Sequence, residues 1–201
     1  VLCDGRDAST RAFELVGGVN QFRDSNIPAL RFAERDAREV SRYFRDNLDI
    51  PGDRVLSLYG KDATTTRIRA SFDSLRNRTD RDAVVYIYFS THGAAVASGQ
   101  YIMTFDTDPD RKFATALPAS DLANWMAMLQ ATGTRSVFLI VDTCYSGASG
   151  GKSLNTGAKS GVSPFYEQLV QSRGQFVLTA STETQIAQEV ERYRHGLFTY
   201  F

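Results

Sequence analysis

AVVYIYFSTHG, residues Ala83 to Gly93, carries six consecutive apolar or aromatic residues, Val84 to Phe89, straight into Ser90, Thr91, His92 and Gly93. A short unbroken run of this kind, rich in β-branched and aromatic side chains, suits a strand covered on both faces, as parallel sheets require. SVFLIVDTCYSG, residues Ser136 to Gly147, has the same form: apolar Val137 to Val141, then Asp142, Thr143, Cys144 and Tyr145. Phe13 to Val19, Val55 to Tyr59 and Phe176 to Ala180 are further candidate strands, and Tyr101 to Phe105 reads as a short edge strand or hairpin arm.

Amphipathic stretches lie between these runs. Leu30, Ala33, Ala37, Val40, Phe44 and Leu48 recur at spacings of three and four, which predicts a helix over Pro28 to Leu48 with one buried stripe. A second helix is expected over Thr65 to Arg76, and a third from Pro118 and Ser120, burying Leu122, Trp125, Met126 and Leu129. The alternation predicts an α/β fold, a three-layer sandwich with a mostly parallel central sheet and helices on both faces, formed by residues 1–201 as one domain. Ser146 to Ser163 breaks the pattern: Gly, Ser and Lys dominate, and that composition predicts a flexible loop after a buried strand. Because the chain starts at Val1 and His195 to Phe201 resembles the opening of a longer helix, the expectation is a piece of a larger protein.

The composition excludes several classes. With 42% hydrophobic residues in 201, the chain can bury a sizeable core. Twenty-three basic against 23 acidic residues leave no sequence-wide electrostatic footprint, so neither nucleic acid nor an anionic membrane is an expected partner. Cys3 and Cys144 make neither a disulfide framework nor a clustered zinc site, which favours a reducing, cytoplasmic setting. No apolar run approaches the roughly 18 residues of a membrane helix.

Ligands of open α/β sheets bind at the carboxyl ends of the strands. If the two quoted strands are neighbours, His92 and Cys144 meet at one such edge. An imidazole beside a thiol lowers its pKa and supplies the thiolate for nucleophilic attack. Taken singly, Cys144 reads as a packing residue and His92 as a surface or hydrogen-bonded one. Their conjunction changes this, because each ends its own strand and each is followed closely by Gly.

YFSTHG and FLIVDTCYSG resemble the two active-site motifs of the caspase-like cysteine peptidases, the family of caspases, metacaspases and their bacterial relatives. The spacing of about fifty residues between His and Cys is similar too. The likeness extends over Val19 and Asn20, LRFAERDAREV, YIMTFDTDPD, ASTETQIAQE and HGLFTYF. It implies a cysteine endopeptidase acting on protein or peptide substrates, with Cys144 as nucleophile and His92 as acid/base. Backbone N–H groups of Gly93 and Cys144 would hold the oxyanion, where a glycine lets the backbone approach closely.

True caspases carry a Gln two residues before the nucleophile and select an acidic residue. Asp142 stands there instead, as in metacaspases, whose further helix Asp and Ser two residues before the His correspond to Asp36 and Ser90. In metacaspases those residues line a pocket for Arg or Lys, and the resemblance implies the same role for Asp36, Ser90 and Asp142. Ala33 departs from that pattern, standing where metacaspases have a cysteine. Asp36 also stands out by itself: it shares a helix face with Phe32, Ala33 and Val40 and has no basic residue three or four positions away. A basic partner from elsewhere, or solvation at the helix edge, are the alternatives.

Two other readings stay open: a peptidase with acidic preference anchored by Arg31, and a non-catalytic interaction module. Lys152 and Lys159 are candidate points of self-cleavage in the Gly/Ser-rich segment. The sequence requires no cofactor and shows no metal site, though some metacaspases need calcium (Ca2+). Bacterial members of the family are often fused to sensor domains, so a fused or associated regulatory domain is an expected partner. SGASGGKS lacks the first glycine of a phosphate loop, and Asp106, Asp108 and Asp110 are followed by Arg111 at the sixth position of the would-be calcium loop, which suits a turn with capping carboxylates better. His195 reads as structural or surface, and Cys3 as incidental.

Overall fold

The computed structural model describes residues 11–96, 99–144, 175–179, 189–190, 194–196 and 199, with Cys144 described by its backbone. In chain order the elements are β1 (Ala12–Gly18), α1 (Ala33–Leu48), β2 (Val55–Tyr59), α2 (Thr65–Arg78), β3 (Val84–Val96), β4 (Gly99–Ile102), α3 (Lys112–Thr115), β5 (Leu117–Pro118), α4 (Ala119–Ala131), β6 (Ser136–Cys144), β7 (Gln175–Thr179), β8 (Glu189–Val190) and β9 (His195–Gly196).

Five strands pair in the order β2-β1-β3-β6-β7, every neighbouring pair parallel. All seven residues of β1 are buried, the sign of a strand covered on both faces. On one face, Phe13, Leu15, Val85, Ile87, Val137 and Leu139 pack against Ile68, Phe72 and Leu75 of α2 and Leu122, Trp125 and Leu129 of α4. Phe72 and Trp125 stack at 4.5 Å, joining the two helices. On the other face, Val16 and Tyr88 meet Ala37, while Ala12 meets Phe44, so α1 lays its apolar stripe across the sheet. Burying each large side chain contributes about 1.5–3 kcal/mol.

Three of the five expected strands, β1, β2 and β7, match within a residue at both ends, whereas β6 runs three residues further, to Cys144, and β3 runs on to Val96. Its extension has a cause: β6 continues beside it as far as Cys144, and β4 folds back antiparallel on its tail. Ser90 to Gly93 therefore lie within a strand. The α1 helix starts at Ala33 rather than Pro28. Asn20 fixes that start, its side-chain oxygen accepting the Glu34 N–H at 2.9 Å while its own N–H donates to the Glu34 carboxylate at 3.3 Å. Asp49 ends the helix in the left-handed region, at φ 50°.

The acidic triplet does local work. Asp106 accepts the Thr65 N–H at the start of α2, and Asp108 accepts the N–H of Asp110 within its turn. Among the described residues no group of three His, Cys, Asp or Glu side chains could hold a metal ion, and no helix is long and apolar enough to cross a membrane. The Ser146 to Ser163 segment, with Lys152 and Lys159, lies outside the described residues, as does Cys3.

Candidate active site

The strand order reverses at β1: β2 lies on one side of it and β3 on the other. In an open parallel sheet, that reversal leaves a crevice at the carboxyl ends. Gly18 ends β1 there, opposite Ser90, and Ser90 is in turn opposite Asp142. Two residues further on, His92 and Cys144 are register partners. Adjacent parallel strands lie about 4.8 Å apart, so the two backbones bring these residues side by side.

Period-two alternation sorts the side chains at this edge. Tyr88, Ser90 and His92 share the face that carries α1, while Thr91 points the other way and donates to the Met103 carbonyl at 2.8 Å. The His92 ring stacks on Phe22, with centroids 5.5 Å apart, and its Nε2 lies 2.9 Å from the Pro28 carbonyl oxygen. A carbonyl only accepts, so Nε2 carries the hydrogen and Nδ1 is the basic nitrogen of the neutral ring. The loop bearing Pro28 is itself fixed, since Leu30 donates to the Asn20 carbonyl at 2.8 Å and Arg23 to that of Phe105 at 2.9 Å.

A closely packed contact delivers Asp36 to the same edge. A Cβ on Gly18 would come within 2.7 Å of the Ala33 carbonyl and 2.8 Å of the Ala37 Cβ, so only glycine lets α1 approach the end of β1 this closely. Asp36, one turn into the helix, is 1% exposed, well inside the buried stripe rather than at its rim. Its Oδ1 meets His195 Nδ1 at 2.5 Å, which supplies the basic partner from elsewhere that remained open from the sequence.

Asp142 is also buried. The hydroxyls of Tyr88 and Thr199 both lie 3.3 Å from its Oδ2 and 3.0 Å from each other. Burial, then the charge of Asp142, pushes the Tyr88 phenol well above its ordinary pKa, and the nearby Asp36 adds to the effect. The phenol therefore stays protonated and can donate. Ser90, buried, also bonds to Tyr88 and so belongs to the same cluster. Two buried carboxylates, three hydroxyls and an imidazole thus gather beside the His92 and Cys144 register pair. Such a set favours a cationic group by charge-assisted hydrogen bonds.

Residues 12–200 match the family model of the caspase domain, peptidase family C14. This chain belongs to the caspase family. It is a family of cysteine peptidases, and the fold agrees. The caspase domain is similar to caspase-1 of Spodoptera frugiperda, at a TM-score of 0.60 and 12% identity over 94% of this chain and 66% of that one. It is also similar to a protein of Geobacter sulfurreducens, at a TM-score of 0.55 and 17% identity over 69% of this chain and 52% of that one. The chain thus spans between half and two thirds of these structures' lengths. Among curated proteins, none matches by sequence.

Within the caspase domain, Asp36, Ser90, His92, Asp142 and Cys144 all come to one sheet edge, and Gly93 is buried on β3 directly after His92. Arg31 is exposed, in the segment leading to α1, with its carbonyl accepting from the Asn20 amide at 3.3 Å. Sequence reading missed Tyr88, Pro28 and Thr199 and, reading His195 as structural or surface, missed its partner Asp36. Tyr88 was within reach, being two positions before Ser90 on a strand of period two. The contact of His195 was not, because its partner is 159 positions away.

Proposed function

We propose that this caspase domain is a cysteine endopeptidase that cleaves after Arg, and also after Lys, with a pocket of metacaspase type. The observation that carries the reading is the register pairing of His92 with Cys144, two residues beyond the Ser90 and Asp142 pair. In the proposed reaction the Cys144 thiol gives its proton to His92 Nδ1, and the thiolate attacks the scissile carbonyl carbon. Backbone N–H groups of Gly93 and Cys144 stabilise the oxyanion as it forms. Collapse of the tetrahedral intermediate breaks the C–N bond, and His92 passes its proton to the departing amine. Water, deprotonated by His92, then hydrolyses the thioester and regenerates the thiol.

Asp36 and Asp142, with Ser90, receive the guanidinium or ammonium of the residue before the cut. Lys152 and Lys159 are proposed as points of self-cleavage, consistent with that preference. The setting is proposed to be reducing, since the nucleophile must remain a thiol.

Fluorogenic peptides with Arg, Lys or Asp before the scissile bond test this, on wild type and Cys144→Ala, with and without calcium. Turnover of the Arg peptide by wild type alone is the expected result. Turnover of the Asp peptide alone would refute the basic pocket, and no turnover of any peptide would favour an interaction module. A self-cleavage band present in wild type and identical in Cys144→Ala would remove the self-processing proposal.

A further inference from the structure

A recess of about 380 Å³ opens between α1 and the edge strand β2, beyond the helix turn that carries Asp36. Arg38, Arg42 and Arg45 line it, together with the hydroxyl-bearing Ser41, Ser57 and Tyr59. We propose that this recess binds a small-molecule anion bearing a phosphate group. The proposal is independent of the peptidase reading.

The three arginines recur at i, i+4 and i+7, so they share one helix face. Like charges at such spacing destabilise a helix by a few tenths of a kcal/mol per pair, and an anion seated among them reverses that sign. The Arg38 guanidinium lies 3.9 Å over the Tyr59 ring. Stacking orients the planar fork and leaves its edge donors for acceptors in the plane, the geometry suited to phosphate oxygens. Arg42 pairs only with the exposed Glu39 among the ion pairs of the described residues, at 2.6 Å. A surface pair of this kind contributes little and is readily exchanged for a doubly charged ligand. The recess is larger than inorganic phosphate needs and falls in the range of small-ligand sites, so a phosphate ester is the fitting class.

Beneath the recess lies Glu14, fully buried on β1, with neither carboxyl oxygen in a well-formed hydrogen bond among the described residues. Burial pushes its pKa up to about 7, while Ser41 and then Arg45, both lining the recess, pull it down. Its other neighbours on this sheet face carry no charge: Val55 of β2 and Tyr86 of β3 are its register partners, and burial raises the Tyr86 phenol further from titration. Arg54 is turned to Phe13 on the opposite face. A bound anion disfavours the Glu14 carboxylate, so binding takes up a proton at Glu14, a contribution that favours binding as pH falls through about 7.

Isothermal titration of the whole chain with pyrophosphate and with inorganic phosphate, at low ionic strength, tests the site. One saturable site is expected, tighter for pyrophosphate. Replacing both Arg42→Gln and Arg45→Gln weakens it by at least about tenfold. Gly52→Trp should do the same with every charge retained, because a Cβ on Gly52 meets nothing within 4 Å and the new ring fills the recess from its wall. At each pH the ligand carries the same charge for both proteins, so the affinity of wild type relative to Glu14→Gln should rise as pH falls from about 8 to about 6, and an unchanged ratio would show that Glu14 is not coupled to the site. Wild-type affinity in a Gly52→Trp protein with an unchanged melting temperature would assign binding to diffuse surface charge and overturn the proposal. Absence of saturable binding in the wild type at both pH values would overturn it equally.

Discussion

His195 and Asp36 are in contact across 159 positions of sequence, imidazole Nδ1 to carboxylate Oδ1 at 2.5 Å. With the Thr199 hydroxyl against Asp142, this gives each of the two buried carboxylates at the candidate site a partner from the same late segment of the chain. Truncating one member of a buried polar pair costs more than the pair contributes, because the other is left desolvated. His195→Ala is therefore expected to lose about 1–3 kcal/mol of stability. His195→Asn, whose amide can donate from nearly the same place, should recover part of it. Urea midpoints of the two variants measure the effect, and wild-type midpoints in both would show that the contact contributes nothing in solution.

Replacing either carboxylate should lower selectivity for a cationic substrate. Asp142→Asn and Asp36→Asn each keep shape and remove one charge, and a hydrogen bond to a charged group is worth about 1.5–3 kcal/mol. Each is expected to reduce kcat/KM for an Arg peptide by roughly 10–100-fold, mainly through KM. Equal losses on Arg and Asp peptides would point to a structural role instead.

His92 is expected to act on the chemical step. Loss of a general acid/base costs roughly 10²–10⁴-fold, so His92→Ala should lower kcat by that amount while KM changes little. Single-turnover measurements on the Arg peptide separate the two effects. A large rise in KM with kcat intact would exclude the assigned role.

Glu14 makes stability depend on pH. Its carboxyl is raised from 4.5 to about 7 in the folded protein, so the folded state binds the proton more tightly than the unfolded chain. Stabilisation is fully present below about 4.5, declines as pH rises through the window, and is lost above about 7. Glu14→Gln should flatten this slope, and at about pH 8 it should be the more stable protein by on the order of 1–3 kcal/mol. Urea unfolding across the window measures both.

Gly18→Ala should disturb the site through packing alone. The added Cβ meets a backbone carbonyl at 2.7 Å, and overpacking of this kind costs about 1–3 kcal/mol. The shift displaces α1 and Asp36 with it, so KM for the Arg peptide should rise alongside the drop in melting temperature. A Gly18→Ala protein with unchanged melting temperature would mean that the helix yields at no cost.

Much of this organisation was legible because its signals are local. The strands β1, β2, β6 and β7 announce themselves as short apolar runs, and the stripe from Ala33 to Phe44 has helical period. The true start of α1 was not legible, since Asn20, more than a turn of chain away, sets it. Nor was the length of β3, whose last residues are held by pairing with β4 and β6 rather than by their own propensity.

The sequence by itself determined the α/β class, the family, and which residues could carry a reaction, because periodicity and motif are properties of neighbouring residues. Only the tertiary structure decided what those residues meet. Parallel register sets His92 beside Cys144, a missing Cβ at Gly18 admits Asp36, and the Pro28 carbonyl selects the tautomer of His92. It also gave His195, which the sequence marks as structural or surface, a buried carboxylate for its partner, and collected three arginines over Glu14. The physical reason is the same throughout: hydrogen bonds, packing limits and desolvation act between groups close in space, and chain position does not encode that closeness.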